Sequence, residues 1–346
     1  MPPLIKTIRV QNVRAHKDFS IQVAPSATVI VGANGTGKTS LIEALYVVLQ
    51  GSSFKSSDND IVRQGASWYR VDVGMSEDRA RTVKFNPEKT TGRKQFIIDG
   101  KTHYRLGSLQ KFPVVLFEPD DLRLLGGSPA RRRQFIDRLI GQVDPKYAAA
   151  VRRYERALKQ RNTLLKLASA SEESLFAWNV ALSEYGSYII RQRLQFTSKI
   201  DAQLNGVYCT ISGTADAVRV RYSHTHADTA QKLLSDLHMH KERDRLMGYT
   251  STGPHRHDII FEFNNTLAVD VASRGEIRSV ILALKFIEVR ITEEFLDVKP
   301  LILLDDVFSE LDEARQKNLV TEFTDHQIII TSVATVPVKG SEVIQL

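Results

Sequence analysis

The sequence predicts an α/β fold, a mixed sheet with helices, into which a mostly helical second lobe is inserted. Three observations predict it. Continuous apolar runs that suit buried strands, TVIV at 28–31, VVLF at 114–117 and LILL at 301–304, stand toward both ends of the chain. Between about residue 120 and residue 205 the apolar spacing changes to three and four, the helical period. A glycine-rich turn at 32–37 joins the first apolar run directly to a helix pattern.

The elements follow in order. LIKTIRVQ and FSIQVA alternate as a hairpin, and SLIEALYVVL, apolar all round, reads as a buried helix ending at Gly51. GSSFKSSDND is a polar loop; WYRVDVGM, RTVKF and KQFIID are strands with a turn at DGK, and FPVVLF is a strand halted near Pro119. Helices are expected over ARRRQFIDRLIGQ, over PKYAAAVRRYERALKQRNTLLKLA and from Ser174 to about Leu204. Residues 207–223 read as strands and 227–247 as one helix. The remainder alternates DIIFEF, a helix from Arg274, PLILLDD, a helix over ELDEARQKNLVTEF, and QIIITS. This gives a first part at 1–120, an inserted lobe at 121–250 and a closing part at 251–346. Trp68 and Trp178 read as core residues.

At 346 residues, 42% hydrophobic and 25% charged, the composition is that of an ordinary globular protein. No apolar run approaches the roughly 20 residues of a bilayer span, and no signal-peptide core follows Met1, so no membrane partner is expected. One cysteine, Cys209, suits a reducing compartment, and a cytoplasmic, bacterial location is the expectation. The net charge of +7 is uneven. Arg131 to Lys166 holds eleven Lys/Arg against three acids, a local +8 that leaves the rest of the chain at −1. A surplus confined to one stretch points to a polyanion site, with a solvated helix face as the alternative.

Gly32-Ala33-Asn34-Gly35-Thr36-Gly37-Lys38-Thr39 fits G-x-x-x-x-G-K-[ST] in its proper context, strand before and helix after. Glycines let backbone N–H groups converge on an anion, and the helix adds its positive end. Lys38 is expected on the β/γ-phosphates of ATP, with Ser40 also at the site and the Thr39 hydroxyl on Mg²⁺. Asp305, at the C-terminal end of an apolar strand, is the second metal ligand. Asp306 follows it, placed to orient or deprotonate the attacking water. Its arm is one methylene shorter than a glutamate's, so slow hydrolysis and a long-lived ATP state are expected.

A small-molecule kinase also has such a loop, but Lys38 and Asp305 here lie 267 positions apart with the helical block between them. Ahead of the acidic strand, Ser273 and Gly275 open a long helix and make a second anion corner. That corner would close on the γ-phosphate held by another copy, giving an ATP-dependent homodimer. The paired histidines at 224/226, 238/240 and 255/257 lack a convergent third ligand, so a metal site is not expected there.

Together these motifs resemble the RecF family of DNA replication and repair proteins, ABC-type ATPases related to the SMC and Rad50 heads. The resemblance spans nearly the whole chain: GANGTGKTSLIEALYVV, SSFKSSDNDIVRQG, VVLFEPDDLRLLGGSPARRRQFIDRLI, TGPHRHDI, ASRGEIRSVILALK and LLDDVFSELD. It implies an ABC-type P-loop ATPase domain, weak DNA-stimulated ATP hydrolysis used as a switch, and dimers that clasp DNA near duplex/single-strand gaps. It also implies work with RecO and RecR in loading recombinase, within recombinational repair, replication restart and the SOS response to DNA damage. Arg14 resembles the arginine that SMC-like heads place near the nucleotide. Arg131, Arg132, Arg133, Arg152 and Arg153 are the expected DNA contacts. The chain departs from the family at Glu276, where glutamine is usual, at His257, where aspartate is usual, and at the end of IIITSVAT, which has no switch histidine; Thr331 or Ser332 is expected to serve there. Rival readings are a phosphotransferase acting on a small substrate, a transporter's ATPase engine and an SMC-like ATPase outside gap repair.

Overall fold

The computed structural model describes residues 3–167, 171–223, 229–336, 338 and 340–346. The chain divides into two compact units, Met1–Leu122 with Glu288–Leu346, and Arg123–Ile287. The sequence places its boundaries near 120 and 250. The second unit runs further because β9 pairs with β10 and draws the following residues into the inserted lobe.

The first unit opens with the hairpin β1 (Ile5–Val13) and β2 (His16–Gln22), then β3 (Ala27–Val31), α1 (Lys38–Gln50) and the short α2 (Asp58–Ile61). β4 (Tyr69–Met75), β5 (Ala80–Phe85), β6 (Lys94–Ile98), β7 (Lys101–His103) and β8 (Val114–Phe117) follow. Six of these strands form an antiparallel sheet in the order β2-β1-β4-β5-β6-β7. Alternate residues of β4, Tyr69, Val71, Val73 and Met75, are buried, while Arg70, Asp72 and Gly74 lie on the opposite face.

In the second unit α3 (Pro129–Val143), α4 (Pro145–Leu165) and α5 (Glu172–Ser212) precede β9 (Val218–Ser223), α6 (Ala230–Met239) and α7 (Lys241–Met247). β10 (Asp258–Phe263), β11 (Thr266–Leu267), α8 (Ala268–Val271) and the first part of α9 (Arg274–Leu296) complete it. The expected strands at 207–223 are only half right: α5 continues to Ser212. GVYCTIS has β-forming residue types, but Leu204, Val207, Tyr208 and Ile211 continue the helical spacing and are all buried. Burial overrides local propensity there. α5 is 41 residues long, about 60 Å at the helical rise, and buries side chains from Leu175 to Ile211 against α4, α6 and β9. The expected single helix at 227–247 is two, broken at His240, because the buried stripe of α6 stops at Leu237; residues 227 and 228 lie outside the described residues.

Returning to the first unit, β12 (Leu301–Asp305), α10 (Glu313–Glu322), β13 (Ile328–Ser332) and β14 (Ser341–Gln345) complete a wholly parallel sheet, ordered β14-β3-β13-β12-β8. α1 packs on strands of both sheets, β1, β4 and β5 of one and β8, β12 and β13 of the other. That is why its sequence is apolar all round. Each such Leu, Ile or Val contributes about 1.5–3 kcal/mol, so the helix that starts at the glycine turn is held firmly. β14 was not anticipated. Among the described residues no helix is long and apolar enough to cross a membrane.

Candidate functional site

β3 is buried throughout and lies between β13 and the edge strand β14, so it is paired on both sides. The chain turns after β3 through residues 32–37 and enters α1 at Lys38. Gly37 precedes the helix at φ 101°, and no side chain caps the helix start. A Cβ on Gly37 would lie 2.3 Å from His16 Nε2, so both conformation and space demand glycine. His16 closes on this turn, its Nε2 3.1 Å from the Gly37 carbonyl.

The Lys38 ammonium is buried and donates to the carbonyls of Gly32 (2.8 Å) and Ala33 (3.1 Å). It makes no ion pair among the described residues. The Thr39 hydroxyl, one residue on, donates to Asp305 Oδ1 at 2.9 Å. Thr331 Oγ1 lies within hydrogen-bond distance of the same oxygen, 2.9 Å away, and accepts the Asp306 N–H at 3.0 Å. Thr331, one of the two residues expected in place of a switch histidine, is therefore in contact with the Asp305 carboxylate and the Asp306 backbone. Burial pushes the Asp305 carboxyl above its ordinary range, and neighbouring Asp306 pushes it further, against the hydroxyl hydrogen bonds that favour the anion. Asp306 sits in the left-handed region at φ 50°, with Oδ1 buried and lacking a partner among the described residues.

These groups fit a triphosphate with a hard divalent cation. Hydroxyl and carboxylate oxygens, with no thiol or imidazole among them, are the donors Mg²⁺ prefers. Buried Lys38 and buried Asp305 form no ion pair with one another, which is the complement of a ligand carrying both phosphate and metal.

Arg14 belongs to the same unit. Its guanidinium donates from Nε and Nη2 to Glu43 at 2.7 and 3.1 Å and to Ser56 Oγ at 2.8 Å. Glu43, on α1, also accepts from Ser53 (2.5 Å) and Ser56 (2.6 Å). Burial alone would raise the Glu43 pKa, but these four donors outweigh it and hold the carboxyl below its ordinary value. The cluster ties the Ser-rich loop to the phosphate-loop helix. Sequence reasoning missed Glu43 and His16. The one available signal for Glu43 was that a helix apolar on every side has nowhere to expose its acid.

Ser273 is exposed in the second unit, and its surroundings explain Glu276. The Ser273 N–H donates to Glu276 Oε2 at 2.6 Å, and the Glu276 N–H donates to Ser273 Oγ at 3.3 Å. This is a reciprocal capping box, so Glu276 folds back over the corner. Gly275 follows within the first turn, its carbonyl accepting from Ser279 Oγ at 3.3 Å.

The basic stretch divides. Arg132 is committed to Asp258 (2.9 and 2.8 Å) and to the carbonyls of Leu125 and Gly127. Arg133 donates to the His257 carbonyl at 2.7 Å and is half-buried, as is Arg131. Arg152, Arg153, Arg156 and Lys159 remain exposed on α4, opposite its buried Tyr147, Ala150, Tyr154 and Ala157. Arg161, within the same basic stretch, is fully buried and paired with Asp244 at 2.7 Å.

Of the histidine pairs, His224 and His226 lie outside the described residues. His255 bonds Tyr154 and the Thr250 carbonyl, and burial lowers its pKa to about 4. His257 bonds Tyr222. Trp68, read as core, is exposed, and Trp178 is only partly buried.

Residues 4–345 match the family model of the RecF/RecN/SMC N-terminal domain. The chain is 31% identical over 334 residues to the DNA replication and repair protein RecF of Clostridium beijerinckii, covering 94% of this chain and 91% of that protein. It is 34% identical over 325 residues to RecF of Moorella thermoacetica, covering 92% and 87%. The chain belongs to the RecF family. Among solved structures, the recombination mediator RecF-ATPrS of the RecFOR pathway superposes with a TM-score of 0.90 at 28% identity, covering 100% of this chain and 96% of that one. An SMC head bound to the C-terminal winged-helix domain of ScpA shares the fold, with a TM-score of 0.52 at 16% identity over 96% and 91%. The architecture is thus that of the ABC-type ATPase heads.

Proposed function

We propose that the chain is an ATP-dependent DNA-binding protein of recombinational repair and replication restart. Mg-ATP joins two copies around DNA near duplex/single-strand gaps, slow hydrolysis releases it, and the cycle helps RecO and RecR load recombinase. The observation that carries this reading is the buried Lys38 facing only loop carbonyls beside the Thr39–Asp305 contact. It stands in a chain that aligns over its length with an ATP-bound RecF.

Backbone N–H groups of residues 33–38 and the start of α1 would hold the phosphates. Lys38 would exchange its two carbonyls for phosphate oxygens, and Thr39 with Asp305 would hold Mg²⁺. When bound, the cation would neutralise charge on the β- and γ-phosphates. Asp306 Oδ1, buried without a partner among the described residues, would accept the proton of the attacking water. Its short reach supports slow turnover, and DNA is proposed to speed it. Ser273 and Gly275 would close on the γ-phosphate held by the second copy. The exposed Arg152 and Arg153 on α4 are better placed for DNA phosphates than Arg131, Arg132 and Arg133.

ATPase rate and sedimentation, each with and without gapped DNA, test this. Lys38→Met should weaken nucleotide binding by about 10- to 100-fold, the loss of a charged hydrogen-bonding partner, and abolish nucleotide-dependent pairing. Ser273→Arg should bind ATP with unchanged affinity and fail to pair. A wild-type chain that stays monomeric at saturating Mg-ATP and phosphorylates a small acceptor would establish the kinase reading in its place.

A further inference from the structure

We propose that the solvent face of the antiparallel sheet carries a subsite for single-stranded nucleic acid, taking an unstacked base against Trp68 and its phosphates on Lys84, Lys89 and Arg93. This deepens the DNA-binding reading above and rests on it.

The register builds the site. Gln11 pairs with Arg70, Arg70 with Lys84 and Lys84 with Gln95, so these four side chains form one cross-strand row on the outer face. Trp68 has the same parity as Arg70 and stands at the same end. A cavity of about 280 Å³ opens there, and four cations but no acid contribute to its lining. Arg70 is already paired with Asp72 at 2.7 Å. Lys84 and Lys89 make no ion pair among the described residues, and Arg93 uses Nε to hold the Lys89 carbonyl at 2.9 Å, which fixes the hairpin.

The aromatic component is equally exposed. Trp68 is 39% accessible and Tyr104 62%. Tyr104 lies beside the hairpin at Gly92, where a Cβ would come within 3.0 Å of its ring. An exposed indole beside Lys84, Lys89 and Arg93, which make no ion pair among the described residues, and flanked by the amides of Gln11 and Gln95, is the composition of a base-stacking platform with a phosphate track. A duplex keeps its bases stacked and would leave the indole unused, so the chemistry favours a single strand.

The test uses the full chain carrying Trp178→Phe, which leaves Trp68 as the sole tryptophan. Indole emission is followed during titration with oligothymidylate, with duplex and with a polyglutamate peptide, while anisotropy reports binding of a labelled gapped duplex. The expected result is quenching by oligothymidylate and by gapped duplex only. Trp68→Ala should weaken single-strand binding about 10- to 100-fold, and Trp68→Phe should restore most of it. Lys84→Ala with Lys89→Ala should flatten the salt slope by about 1.4. Gapped duplex bound with unchanged emission overturns the subsite and leaves the DNA reading standing. No DNA bound in any arm overturns both. Quenching by polyglutamate and not by oligothymidylate overturns the nucleic-acid assignment.

Discussion

Two buried polar clusters, one in each unit, differ in a way that separates framework from function. In the inserted unit Arg161 is completely answered: Nε by Asn179, Nη1 by Asp244 and Thr250, and Nη2 by the Leu237 carbonyl. Arg193 is treated alike by Asp137, Tyr147 and the Pro254 carbonyl. In the ATPase unit Lys38, Asp305 and Asp306 make no ion pair among the described residues, and Lys55 acts on Asp305 only through space. Burying unmatched charge is costly, and a protein retains it where a ligand supplies the missing half. Matched burial marks the scaffold and unmatched burial marks the site.

Three substitutions sharpen the contrast. Arg161→Met strands Asp244 in the interior and should cost about 3–5 kcal/mol in urea unfolding; a loss below about 1 kcal/mol would mean the cluster is not framework. Glu43→Gln weakens an answered carboxylate, and a loss of about 2 kcal/mol is expected at neutral pH. Because the Glu43 pKa is depressed in the fold, its contribution is present above the ordinary glutamate range and is lost as pH falls through the lowered value. The gap between wild type and Glu43→Gln should therefore close on acidification.

Asp305→Asn should run the other way. An acid whose folded pKa is raised binds more protons folded than unfolded, so ligand-free stability falls as pH climbs from the ordinary carboxylate range through the raised value. The asparagine variant should lose that fall and melt at or slightly above wild type near neutrality in EDTA, by up to about 1 kcal/mol. A variant clearly less stable than wild type would place Asp305 with the scaffold.

The legibility of the sequence follows the range of the interactions involved. The glycine turn between β3 and α1 and the place of Asp305 at a strand end were readable because each depends on a few adjacent residues and a flanking apolar run. The capping role of Glu276 was equally local but was masked by its departure from the usual glutamine. The Arg14–Glu43–Ser56 cluster joins three distant segments, and only the fold brings them together. Trp68 was misread although the information was present: Tyr69, Val71 and Val73 point inward, so period two already assigned the indole to the polar face. The overrun of α5 went unread because its last turns are β-forming by type and helical only through what they are buried against.

β3 carries the phosphate turn, yet both of its neighbours, β13 and β14, are encoded near the far end of the described chain. The Leu346 N–H donates to the Val31 carbonyl at 2.8 Å, directly before Gly32. On the ribosome β3 therefore emerges early and waits, edges bare, until β13 and β14 have been translated. A half-made nascent chain carries the motif but not the sheet that shapes it. The turn after β3 gains its flanking strands only once β13 and β14 have both been made.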